Sequence, residues 1–185
     1  MKSIICALLL AAVSASEPNP PHWDTNRVKI VEPNGSQGCQ GLSDSLFSKL
    51  GGYCNNGQWS DDRYAVLMKA GFHNCHFKVG YYTQVMGLGR DPTKTEIREL
   101  EVPDGCNNAL CNFWRSVENI HTGYHGTTQW HVSQAAPMRR VQIEGSIQLG
   151  QGYSSGGYLA NSNIKGKINA ARQQQWFNRN NNMSG

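Results

Sequence analysis

The sequence predicts an all-β chain wound as a parallel β-helix, and three observations carry that prediction. Strand-length runs broken by glycine dominate it: HFKVGYYTQVMGLG, EIRELEV, RRVQIEGSIQLG and GGYLANSNIKGKI. Such pieces, separated by glycine, asparagine or proline turns, read as strands. Ile143-Glu-Gly-Ser-Ile147 returns twenty-one residues later as Ile164-Lys-Gly-Lys-Ile168. That spacing suits one coil of a parallel β-helix, in which the inward aliphatics of each coil stack on the next. Asparagines surround the echo, at Asn161, Asn163, Asn178 and positions 180–182. They are placed to stack amide on amide at coil corners.

In chain order, residues 1–15 read as a secretory signal peptide. Lys2 gives the positive start, Ile4 to Ala12 the apolar run, and Val13, Ser14 and Ala15 the small-residue cleavage site. The run is too short to cross a ~30 Å hydrocarbon core, so no membrane span is expected. The protein is thus expected to be secreted and extracellular, with its mature N-terminus at Ser16 or Glu17. Residues 16–60 read as a loop-rich, disulfide-bearing segment, and residues 61–185 as the β-helix domain. Within the latter, DDRYAVLMK (Asp61 to Lys69) is the best helical signal, yet Tyr64, Val66 and Met68 alternate as on one face of a strand.

Once Cys6 leaves with the signal, Cys39, Cys54, Cys75, Cys106 and Cys111 remain. Disulfides are their default use in an oxidising compartment. The count is odd and the connectivity open; Cys39 with Cys54, and Cys106 with Cys111, would each close a short loop. No CxxC pair or four-ligand histidine spacing occurs, so no metal is expected. The histidines of HTGYHG read as surface loop residues, because that string is a poor helix former. No cofactor is expected either.

Charge excludes some partners. Loss of Lys2 takes the formal charge from +4 to +3, and Arg139–Arg140 is the only adjacent basic pair. Nucleic acid, which needs a dense basic face, is therefore not expected. Acidic residues are dispersed, with no run suited to many calcium ions.

Several strings resemble a known family: DDRYAVLMKAGFHN, VGYYTQVMGLGRDP, NALCNFWRSVENI, WHVSQAAPMRRVQIEGSIQL and SSGGYLANSNIKGKI, followed by QQQWFNRNN. They are similar to secreted right-handed parallel β-helix proteins of the pectate-lyase superfamily, near its β-1,3-glucanase-like branch. The resemblance implies a right-handed β-helix. Family domains run longer, and their catalytic acids lie further downstream than the matching region. The sequence is therefore expected to be an N-terminal fragment with an incomplete β-helix, and the odd cysteine count points the same way.

Glycoside cleavage needs two carboxylates ~5–9.5 Å apart across the scissile bond. The candidates are Glu118 and Glu144, twenty-six residues apart, a little over one coil. Solvated acids on an outer face are the plainer reading of both. Trp114, Trp130 and Tyr153 are the candidate carbohydrate-binding rings, since indole and phenol faces suit the C–H faces of sugars. Core packing is the competing reading of each. Two glycosylation sequons occur, at Asn34 and Asn182. The function expected is a secreted β-helix protein of an extracellular matrix, or a polysaccharide-associated structural or binding protein. The alternative is a glycoside hydrolase or polysaccharide lyase with its acids beyond Gly185.

Overall fold

A computed structural model describes residues 24–34, 36–51, 57–103 and 109–184. The signal peptide, Cys6, Cys54 and Cys106 lie outside the described residues. The elements in chain order are β1 (Val28–Val31), α1 (Ser36–Leu50), β2 (Tyr64–Met68), β3 (Gly71–Lys78), β4 (Thr83–Gly87), β5 (Thr95–Glu101) and β6 (Ser116–Glu118). Shorter strands follow: β7 (His121–Thr122), β8 (Thr127–Gln129), β9 (Pro137–Arg139), β10 (Gln142–Ile143), β11 (Ser146–Gln148) and β12 (Tyr153–Ser155). The last are β13 (Tyr158–Ala160), β14 (Asn163–Ile164), β15 (Ile168–Asn169), β16 (Arg172–Gln174), β17 (Phe177–Arg179) and β18 (Asn182–Met183).

These strands stack as a parallel β-solenoid. The first sheet runs β1-β2-β4-β6-β9-β13-β17, the second β3-β5-β7-β10-β14-β18, and shorter sheets run β8-β11-β15 and β12-β16. Inward residues form continuous columns through the core. Val66, Val85, Val117, Met138 and Leu159 sit one above another in the first sheet, each at most 1 % exposed. Burying each such side chain contributes about 1.5–3 kcal/mol relative to leaving it exposed. The echo read from the sequence is one coil: Ile143 pairs with Ile164 and Ile147 with Ile168. Its glycine marks a close backbone approach. A Cβ on Gly145 would stand 2.0 Å from the Gly126 carbonyl oxygen, and one on Gly166 would stand 2.6 Å from the Gly145 carbonyl.

Coil corners recur as columns of left-handed residues. One column is Asn119, Arg140, Asn161 and Asn180, with φ between 52° and 57°. Asparagine tolerates this region because its short amide bonds locally. The expected amide stacking is present: Asn180 Nδ2 donates to Asn161 Oδ1 at 2.9 Å. A second column contains Tyr82, Trp114, Ala135 and Gln175.

The segment ahead of Asp61 carries a disulfide, as expected, and also a helix and a strand that its composition hid. Gly38, Gly41 and the serines give α1 weak intrinsic propensity; tertiary contacts hold it instead. Leu46 and Leu50 are buried, and Cys39 bonds to Cys75 on β3, with Cα atoms 5.9 Å apart. Cys39 therefore does not close the short loop to Cys54. Gln40 accepts from the His76 N–H at 2.9 Å and donates to its carbonyl at 3.2 Å, while Ser43 accepts from the Lys78 N–H at 2.9 Å. These side chains take the place of a neighbouring strand and cover the edge of β3. At 64–68 the alternation prevails over the helical signal, because β2 is paired on both sides, to β1 and β4. Among the described residues no helix is long and apolar enough to cross a membrane.

Candidate functional site

A groove of about 770 Å³ opens on the outer face of the first sheet, beside the corner column that holds Tyr82 and Trp114. Its floor follows from register. Ala65, Gln84, Ser116 and Pro137 occupy the same outward position on successive strands, and all four line it. Small side chains keep this floor low, while Gln84 and Ser116 supply hydrogen-bonding groups.

The wall is aromatic. Tyr82 and Trp114, with φ of 52° and 50°, project from consecutive coils, and the Tyr82 N–H donates to the Trp114 carbonyl at 2.6 Å. Their rings are parallel within 9°, centroids 5.4 Å apart. Trp59, 80 % exposed, tilts against Trp114 with centroids 5.5 Å apart. The Arg63 guanidinium lies 3.6 Å from the Tyr82 ring centroid, a cation–π contact. The Tyr82 hydroxyl donates to the Gln58 carbonyl at 2.6 Å and fixes the ring.

The groove is cationic. Arg27 and Arg63 flank it, and Asp62 is held by Lys49 at 2.6 Å and by Arg27. Hydrogen bonds from Lys49 and Arg27 lower the Asp62 pKa to about 2. Arg115 is buried and donates to the Phe113 carbonyl at 3.1 Å and the Val79 carbonyl at 2.7 Å. Burial pushes its pKa down to about 10, which leaves it charged at neutral pH. Among the described residues no carboxylate lines the groove. Ring faces beside amide, hydroxyl and guanidinium groups make a surface for a polyhydroxylated ring, not an acid–base centre.

Of the three candidate rings, only Trp114 is in the groove. Trp130 is fully buried within the core cluster, so neither indole face is open to a ligand. Tyr153 is 57 % exposed but lies on β12, outside the groove lining, with Arg172 at 5.5 Å from its ring. Trp59, Arg63 and Gln84 were not singled out from the sequence as binding residues. Tyr82 and Trp114 are brought together by the step from β4 to β6, where Val85 pairs with Val117. That coil is longer than the 21-residue echo, so periodicity does not reveal the pair.

Glu118 and Glu144 lie on different sheets or their edges, and each is engaged by a cation. Glu118 lies on β6 and pairs with Arg139 at 2.6 Å, one coil on. Glu144 follows β10 in the second sheet and accepts from Lys165 and Gln142, each at 2.7 Å, with His121 Nε2 at 2.9 Å. Each faces a cation on the next coil. Lys165 first, then Gln142 and His121, lower the Glu144 pKa to about 2. His121 sits in β7 between Glu96 and Glu144, so it is not a free surface loop residue. Both sequon asparagines, Asn34 and Asn182, are exposed.

The Glu144 network predicts acid sensitivity. A depressed folded-state pKa stabilises the fold above the unfolded value, about 4.3 for a glutamate, and that contribution fades as pH falls toward 2. Glu144→Gln should lose less stability than wild type between pH 5 and pH 2.5, read by urea unfolding. Parallel losses in the two proteins would show that the carboxylate is not the linked group.

No protein-family model matches the chain. An exo-beta-1,3-glucanase of Streptomyces sp. (strain SirexAA-E / ActE) is 40 % identical over 166 residues, covering 85 % of this chain and 27 % of that protein. The solved structure of sacteLam55A from Streptomyces sp. SirexAA-E is similar, with a TM-score of 0.76 at 38 % identity. It covers 82 % of this chain and 28 % of that one. A variant of sacteLam55A in complex with glucose matches equally well. This chain spans just over a quarter of the length of each protein it matches.

Proposed function

We propose that this protein is a glycoside hydrolase of the exo-β-1,3-glucanase kind, and that the Tyr82–Trp114 groove holds its glucan. The observation that carries the proposal is the 40 % identity, over 85 % of the chain, to the Streptomyces exo-beta-1,3-glucanase. It favours the hydrolase over the matrix or purely structural reading, which no comparable relative supports. The strings quoted above support a right-handed helix of the pectate-lyase superfamily. Export, with glycosylation at Asn34 and Asn182, goes with an enzyme whose polymer lies outside the cell.

In this reading Trp114 is the ring that meets the sugar, backed by Tyr82, which Arg63 covers, and flanked by Trp59. Gln84 and Ser116 hydrogen-bond the sugar's hydroxyls, and Arg27 and Arg63 bound it laterally. Cleavage needs two carboxylates, and the groove lining has none among the described residues. The acid–base pair therefore comes from carboxylates outside that lining.

Binding of a β-1,3-gluco-oligosaccharide, followed by tryptophan fluorescence and calorimetry, tests the proposal. Trp114→Ala should weaken binding about tenfold, the loss of one stacking partner. A β-1,4-linked oligosaccharide of equal length should bind far less well. Undiminished affinity in a folded Trp114→Ala protein would refute the groove assignment, and absence of β-1,3-glucan binding by wild type would refute the function.

A further inference from the structure

The two rings of the groove wall each have a buried neighbour in the chain. Tyr81 precedes Tyr82 and is 1 % exposed; Arg115 follows Trp114 and is 3 % exposed. The Arg115 guanidinium lies 4.5 Å from the Tyr81 ring centroid. A buried cation-on-ring pair thus accompanies the exposed pair of rings, and both pairs come from the same two coil corners. We propose that Arg115, stacked on Tyr81, is a positioning residue for glucan recognition. It ties the Trp114 corner to the Tyr82 corner and so sets the ring that meets the sugar. The proposal rests on the glucan reading of the groove.

The corner needs such a tie. Trp114 has a φ of 50°, a left-handed conformation that a bulky residue keeps only where its surroundings enforce it. Arg115 enforces it from several directions. Its Nε donates to the Phe113 carbonyl at 3.1 Å, which closes a short ring around Trp114. Its Nη1 donates to the Val79 carbonyl at 2.7 Å, three residues ahead of Tyr82 on the preceding coil. Its backbone N–H donates to the Ala135 carbonyl at 3.3 Å on the coil that follows. Tyr81 is fixed in turn. Its N–H donates to the Leu50 carbonyl at 3.0 Å, and its hydroxyl donates to the Cys111 carbonyl.

Stability alone does not account for this arginine. A cation withdrawn from water is costly unless an opposite charge pairs with it. The Arg115 side chain instead donates to two carbonyls, and its buried Nη2 has no hydrogen-bond partner among the described residues. What the guanidinium supplies is geometry. Its planar fork reaches carbonyls on two coils while lying against a ring, which the point charge of a lysine cannot do. A wall that is already ordered loses little freedom when sugar stacks on it.

The test uses disulfide-intact protein labelled with fluorotryptophan, and a β-1,3-gluco-oligosaccharide. Trp114 is assigned in the fluorine NMR spectrum with Trp114→Phe. Arg115→Lys keeps the charge but cannot span both carbonyls, and Arg115→Met removes the charge at similar length. Methionine leaves two carbonyls without a donor but buries no charge, so its Tm should stay near that of wild type. Both variants should bind the oligosaccharide about fivefold more weakly. Their Trp114 resonance should broaden or split while that of buried Trp130 stays unchanged. Undiminished affinity in a folded variant, or a Trp114 resonance like that of wild type, would overturn the proposal and leave the groove reading standing. Absence of glucan binding by wild type would overturn the groove reading and the positioning role with it. A nitrogen NMR spectrum of wild type needs no variant. Hindered rotation of the Arg115 guanidinium, seen as resolved Nη resonances, is expected, and free rotation would overturn the tie.

Discussion

Replacing Cys39 and Cys75 together with alanine should lower stability by about 4 kcal/mol, the loop-entropy value for a bridge joining residues 36 apart. For a chain of this size that corresponds to a fall in Tm of about 10 °C. Both sulfurs are buried, at 1 % and 0 % exposure, so the variant also leaves small voids. The damage should concentrate at the first coil. Gln40 and Ser43 satisfy the edge of β3 only while α1 stays seated, and hydrogen exchange of the His76 and Lys78 amides should rise most. Reduction of the wild type should reproduce the shift. Unchanged melting of the double variant would mean that the bridge ties together segments already fixed by packing.

Trp130→Ala should cost about 3–5 kcal/mol, as for other fully buried large aromatics. Among the described residues the buried indole Nε1 has no hydrogen-bond partner, so the loss expected is one of packing. Trp130→Phe keeps most of the apolar volume and removes that N–H; it should cost much less. The two tryptophans therefore separate cleanly by assay: Trp130→Ala lowers stability, and Trp114→Ala lowers glucan affinity with little change in melting. A Trp130→Ala protein that melts like wild type would contradict the core position of that side chain.

The legible and the hidden parts of this fold differ for physical reasons. Ile143, Ile147, Ile164 and Ile168 announce the coil because consecutive coils there have equal length and place aliphatics at the same inward positions. Asn161 and Asn180 are legible for a related reason, since a left-handed corner favours asparagine. α1 is hidden because its glycines and serines give little helical signal, and its stability comes from the disulfide and from β3.

The candidate site is harder to read. An alternating pattern says that a tryptophan packs on one face but not which face is inside, so Trp114 and Trp130 look alike until the coils are closed. Tyr82 and Trp114 meet through a coil of unusual length. Glu118 and Glu144 suggest neighbours one coil apart, yet they occupy different coil positions, and each is matched instead by Arg139 or Lys165. The sequence leaned toward a matrix protein for want of a catalytic pair. That want persists in the groove lining, while the glucanase relative supports the hydrolase.

We propose the Tyr82–Trp114 wall as the glucan-binding surface. A crystal structure of the protein with a β-1,3-gluco-oligosaccharide tests it most directly. A glucosyl ring should be stacked on Trp114, with hydroxyls bonded to Gln84 or Ser116. Sugar bound at another surface, with the face of Trp114 left uncovered, would contradict it.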